Sequence, residues 1–108
     1  MSQNILLTTS AIGRVRVIAG WDNPLSEVYV NVFPVDENGV DDENPEVMFG
    51  APDGGADEVA SALSLLNIAL PEAMLAAIQE DCDLKARNVF RTFNEEGYLV
   101  SAPRLPAA

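Results

Sequence analysis

The stretches RVRVIA at 14–19 and VYVNVFPV at 28–35 decide the fold. Both alternate with a period of two, which is the pattern of half-buried strands. In the first, Val15, Val17 and Ala19 point one way and Arg14, Arg16 and Ile18 the other. In the second, Val28, Val30 and Val32 share one face and Tyr29, Asn31 and Phe33 the opposite one. The segment Trp21–Ser26 joins them as a hairpin. Setting Gly20 against Glu27 places Ala19 against Val28, Val17 against Val30 and Val15 against Val32. A slip of one residue brings valines against arginines and destroys this match. A slip of two preserves it, so the pattern specifies the parity of the register and no more.

Outward from this hairpin, Ile5–Thr9 is a short β-favouring run, and Gly13 provides the turn back into it. The second half changes period. In Asp57–Leu70, Val59, Leu63, Leu66 and Leu70 fall at helical spacing with Ala62 beside them. Pro71 breaks that run and opens a second helix to about Asp81, striped by Met74, Leu75, Ile78 and Cys82. Asn88–Phe93 turns β-like again, Asn94–Gly97 is a turn, and Tyr98–Val100 returns as a strand, with a continued helix through Phe93 as the competing reading. The expected fold is α+β: an antiparallel sheet of three to five strands with two helices packed on one face. Residues 1–108 read as a single domain, with an acidic loop at about 36–58 and a poorly ordered tail at 102–108. Two helices leave one sheet face uncovered. Ile18, Tyr29 and Phe33 are therefore expected to be exposed or to pair with a second copy in a homodimer.

The chain has 17 acidic and 6 basic residues in 108, no histidine and one cysteine, for a net charge of −11. The charge is segregated. Residues 17–84 hold 15 acids and no Lys or Arg, and Asp36–Glu58 alone holds nine acids. Such a field repels phosphates and anionic head groups, which argues against direct binding to nucleic acid or a membrane surface. Without histidine there is no Ser-His-Asp triad, Cys-His pair or His-ligated zinc. The opening MSQNILLTTS has no basic region or long apolar stretch of a secretory signal, and no run approaches the ~20 apolar residues of a bilayer span. A cytoplasmic location is expected.

The candidate sites follow from the charge and from one loop. Trp21, the only tryptophan, opens Trp21-Asp22-Asn23-Pro24. This is either a loop capped by Asp22 and Asn23 with Trp21 closing the core edge, or a recognition loop with an aromatic anchor. Asp36, Asp41, Asp42 and Glu43 form the acidic surface offered to a basic partner. A calcium loop starting at Asp36 fails, because Val40 and Val47 fall on positions that need oxygen ligands. Cys82 is crowded by Glu80, Asp81 and Asp83, which raises its pKa, so it reads as a small apolar residue rather than a nucleophile. Arg14 and Arg16 share a strand face, Lys85, Arg87 and Arg91 lie late in the chain, and a late strand joining the early ones would build a small basic patch from them. No catalytic, cofactor-binding or metal-ligating residue is assigned, and no cofactor is implied.

The phrases Gly20-Trp21-Asp22-Asn23-Pro24-Leu25 and Pro71-Glu72-Ala73-Met74, with Gln79-Glu80-Asp81 after them, resemble a group of small uncharacterised bacterial proteins, some of them on mobile elements. The resemblance covers most of residues 5–93. It implies a compact bacterial domain and brings no activity or site residue with it. The expected function is a non-enzymatic interaction or regulatory module that docks a basic protein. The alternatives are a DNA-mimic inhibitor of a DNA-binding enzyme and a small-molecule binder or enzyme with a pocket near Trp21.

Overall fold

The structure, a computed structural model, describes residues 1–101. The tail expected at 102–108 lies outside the described residues. The order is β1 (Gln3–Ser10), β2 (Gly13–Asp22), β3 (Glu27–Pro34), β4 (Val47–Pro52), α1 (Ala56–Ser64), α2 (Glu72–Leu84), β5 (Phe90–Phe93) and β6 (Leu99–Ser101). The class is α+β, as the change of period predicts.

The sheet has six strands in the order β4-β3-β2-β1-β5-β6, and it is mixed rather than antiparallel. β1 to β4 form an antiparallel meander, whereas β5 lies parallel to β1, with Ile5 against Thr92 and Leu6 against Phe93. The reason is the connection. After β4, at one edge, the chain crosses the sheet as two helices and returns beyond β1, and a crossover of this kind is what allows a parallel pair. Sequence alternation shows where strands are but not how distant strands are ordered.

The β2–β3 register keeps the expected parity and is shifted by two: Ala19 faces Val30, Val17 faces Val32 and Gly20 faces Tyr29. Both registers bury the same valines. The observed one lengthens both strands and reduces the loop to Asn23–Ser26, with Asp22 against Glu27. Ser26 takes a left-handed conformation at φ 50° to close it. Val15, Val17, Ala19, Val28, Val30 and Val32 are fully buried beneath α1 and α2, together with Val59, Leu63, Met74 and Ile78. By area, each of these Val, Leu, Ile and Met side chains contributes about 2 kcal/mol of burial free energy.

α1 is shorter than the expected Asp57–Leu70. Asn67 adopts φ 55°, and the Ile68 N–H turns back to the Leu63 carbonyl, so the helix ends at Ser64. Ile68 and Leu70 are still buried, but from the connecting segment rather than from the helix. Pro71 precedes α2 as its N-cap, and α2 runs past Asp81 to Leu84, where Lys85 at φ 51° stops it. The two late strands form the expected hairpin.

On the helix-free face, Ile18 and Phe33 are half-buried, while Tyr29 is already covered within the chain. Its hydroxyl donates to the Ser2 carbonyl at 2.6 Å. The first residues cross over Gly20, where a Cβ would sit 2.4 Å from the Ser2 carbonyl oxygen. Glycine is required there by close approach, not by φ.

Candidate functional site

The acidic stretch 36–58 is not one loop. β4 (Val47–Pro52) interrupts it, and α1 takes the end of the stretch. What remains are two acidic clusters at opposite ends of β4. The β3–β4 connection forms one. The second gathers Asp22 and Glu27 from the β2–β3 turn with Asp53, Asp57 and Glu58, since Glu27 pairs with both Asp22 and Pro52.

The first cluster is shaped by its own carboxylates. Asp36 Oδ1 accepts the N–H groups of Asn38 and Val40, each at 2.9 Å, and Asp42 Oδ1 accepts that of Asn44 at 3.0 Å. These are side-chain-capped turns, which the abundance of Asp, Asn and Gly in the segment favours. Asp41 pairs with Arg16, reached from β2 across the end of β3. Glu43 is exposed and has no hydrogen-bond or ion-pair partner among the described residues. Of the four loop acids predicted to meet a partner, three therefore also hold the loop in shape.

Trp21 and Asp22 follow the capped-loop reading. Trp21 is 3% exposed and belongs to the core, and its Nε1 donates to Asn23 Oδ1 at 3.2 Å. Asp22 Oδ1 accepts the Leu25 N–H at 3.4 Å. The tryptophan is thus not an outward anchor. It forms the floor of an open cleft of about 370 Å³, lined by Asp53, Asp57, Glu58, Gln79, Cys82, Asp83 and Lys85.

Two groups lining the cleft are shifted by their surroundings. The Gly55 N–H donates to Glu58 Oε2 at 2.8 Å and holds the Glu58 carboxyl below its usual value, whereas a general acid needs a raised one. Burial, reinforced by Asp81, Asp83 and Glu58, pushes the Cys82 thiol up to about 11, whereas a nucleophilic cysteine needs a depressed value. The N-terminus of α1 also faces this cleft. It is largely satisfied from within: Glu58 takes the Gly55 N–H, Gln79 Oε1 takes the Ala56 N–H at 3.0 Å, and the Glu58 N–H turns to the Gly55 carbonyl at 3.2 Å. Among the described residues, no three Asp, Glu or Cys side chains converge on a metal position.

The expected basic patch does not form. Arg14 and Arg16 lie on the helix-free face, paired with Glu95 and Asp41. Arg91 alternates to the opposite face, where it meets Asp81 on α2. Sequence reading missed that Asp81–Arg91–Asn4 cluster, which is the polar centre of the molecule. Asp81 is 1% exposed, and it accepts from Arg91 Nη1 at 2.9 and 3.0 Å and from Asn4 Nδ2 at 2.9 Å. Asp81 lies three residues after Ile78 and seven after Met74, on the apolar stripe, and that placement was the available signal.

Compared with protein-family models, with curated proteins and with solved structures, the chain finds no match. Among the described residues, no helix is long and apolar enough to cross a membrane.

Proposed function

We propose that this chain is a non-enzymatic docking module that binds a basic segment of a partner protein. The observation that carries the reading is the distribution of uncompensated carboxylates. Of 17 acids, only Asp41, Asp81 and Glu95 stand in ion pairs among the described residues. The others concentrate in the two clusters that bracket β4. Exposed like charges held this close repel one another, and a basic partner relieves that repulsion while gaining a steered approach. The shifts of Glu58 and Cys82 run opposite to what acid–base or thiol chemistry needs, which supports binding over catalysis.

The test is titration with an immobilised Lys/Arg-rich peptide at two salt concentrations. Glu37→Gln, Glu43→Gln and Glu46→Gln together remove charge from the first cluster and spare Asp36, Asp41 and Asp42, which shape it. The triple variant is expected to bind several-fold more weakly, with a smaller salt dependence. Equal binding by both proteins, or binding indifferent to salt, would overturn the reading.

A further inference from the structure

The strand between the two acidic clusters is a sheet edge. Val47–Gly50 bond to β3 on one side, and among the described residues nothing else donates to or accepts from their backbone. The other side is therefore a row of N–H and C=O groups open to solvent. Edges of this kind are normally guarded by charged side chains, bulges or an interior proline. β4 reads VMFGAP: it contains no charge, its register with β3 is unbroken, and its proline is the last residue. Met48 is 75% exposed, and Gly50 has no side chain at all. This is a pairing-competent template of four residues, about 13 Å long, because Pro52 has no N–H and the Ala51 carbonyl already accepts from the Gly54 N–H.

The charge around the edge selects what pairs with it. Antiparallel pairing of two copies would bring Glu46 at one end of β4 toward Asp53 at the other end of its mate, acid against acid. A basic strand meets the opposite situation. Side chains of an added strand project alternately to the two faces. On the helix side the neighbour is a shelf of Phe49 with Asp57 and Glu58 beside it. On the other side it is Met48 with Glu27 and Asp22. The Glu27 carboxylate lies directly over Gly50, 2.8 Å from where a Cβ would stand, and it has no cationic partner among the described residues. Each face thus offers an apolar surface for an aliphatic stem and a carboxylate for the charged head, which suits Lys and Arg.

We propose that the β4 edge receives an extended basic segment of the partner as a seventh strand, with its Lys or Arg residues over the acidic clusters at both ends of β4. The proposal rests on the docking reading above and adds the recognition mode. Main-chain hydrogen bonds to Val47–Gly50 supply affinity, and the flanking carboxylates supply selection for a basic sequence.

The probe is acetyl-Lys-Arg-Val-Thr-Val-Thr-Val-Arg-Lys-amide, compared with the same peptide carrying proline at its central valine and with a Glu-for-Lys/Arg version. Binding is read by fluorescence titration at low salt, and amide hydrogen exchange locates it. The expected result is new protection at Val47–Gly50, about tenfold weaker binding for the proline peptide through lost strand hydrogen bonds, and none for the acidic one. Met48→Lys, at an exposed position, should also weaken binding by placing a like charge on the edge. Equal binding by the proline peptide without protection at Val47–Gly50 would overturn the edge proposal and leave acidic docking standing. No binding by either cationic peptide would overturn both. A dimer of the chain alone with protection on Val47–Gly50 would make a second copy the occupant and overturn the choice of a basic partner.

Discussion

Asp81 is a buried carboxylate in a chain whose other acids mostly face water. Arg91 contacts both its oxygens, Asn4 Nδ2 donates to one, and Asn4 Oδ1 in turn accepts from Arg91 Nη1 at 3.0 Å. The cluster connects α2 to β1 and β5. Breaking such a pair costs more than the pair contributes, because a desolvated charge is left alone. Arg91→Ala should destabilise the protein by about 3 kcal/mol in urea unfolding, at the low end of that range because Arg91 keeps some solvent contact. The double replacement Arg91→Leu with Asp81→Leu should cost less than the single one. Cys82, the next residue, gives a second expectation. Its thiol is moved from 9.0 to about 11, so the folded state holds the proton longer than the unfolded state. Between those pH values stability falls as pH rises, and below about 9 the thiol contributes no pH dependence. In practice Cys82 should react slowly with a disulfide reagent at pH 8 and rapidly once the chain is unfolded in denaturant. The crowding of Cys82 by acids was legible in the sequence. The pairing of Asp81 with Arg91 was not, because nothing local indicates which face of a late, four-residue strand the arginine takes.

At the scale of elements, what the sequence showed was whatever repeats locally. Alternation in β2 and β3 specified faces and parity, and both observed and expected registers satisfy it, so the choice between them belongs to the loop. There Asp22 and Ser26 close a shorter turn than the sequence suggests. The end of α1 was hidden for a related reason: Leu66 and Leu70 keep helical spacing, yet Asn67 turns the chain into a left-handed position before Leu70 is reached. Sheet order was hidden altogether, since the parallel β1–β5 contact spans most of the chain. The termination of α2 yields a prediction. Lys85 sits at φ 51°, where its N–H closes the helix on the Asp81 and Cys82 carbonyls. A β-carbon is unfavourable in this conformation, and glycine is the common residue there. Because Lys85 is exposed and makes no ion pair among the described residues, Lys85→Gly should stabilise the protein by about 0.5 kcal/mol, the relief of strain being partly offset by greater unfolded-state entropy. A drop in thermal midpoint would show that the lysine contributes a charge interaction across the cleft it borders.

For the molecule as a whole, the decisive quantity is the charge of −11 carried by a fold only 36 × 27 × 26 Å in extent. Folding gathers carboxylates that the unfolded chain holds farther apart, so self-repulsion is a cost of the native state that salt removes. The three ion pairs respond in the opposite sense. Two of them, Arg14–Glu95 and Arg16–Asp41, are solvent-exposed or nearly so and contribute little each, while Asp81–Arg91 is shielded from salt by burial. Repulsion therefore dominates the salt response. Raising NaCl from 20 to 500 mM should stabilise the fold by about 1 kcal/mol, which for a domain of this size moves the thermal midpoint up by about 4 °C. The same series addresses self-association. The helix-free face carries Ile5, Leu7, Ile18 and Phe33 at intermediate burial, between arginines already neutralised by their own carboxylates. Around these apolar residues the charges are paired, Arg14 with Glu95 and Arg16 with Asp41. Pairing of two copies through this face should accordingly strengthen with salt, whereas docking of a basic segment at the β4 edge should weaken. Sedimentation of the chain alone, run beside the peptide titration across the same salt range, separates the two surfaces by the sign of their response. A fall in thermal midpoint with salt would mean instead that exposed ion pairs, and not repulsion, control the stability of the native state.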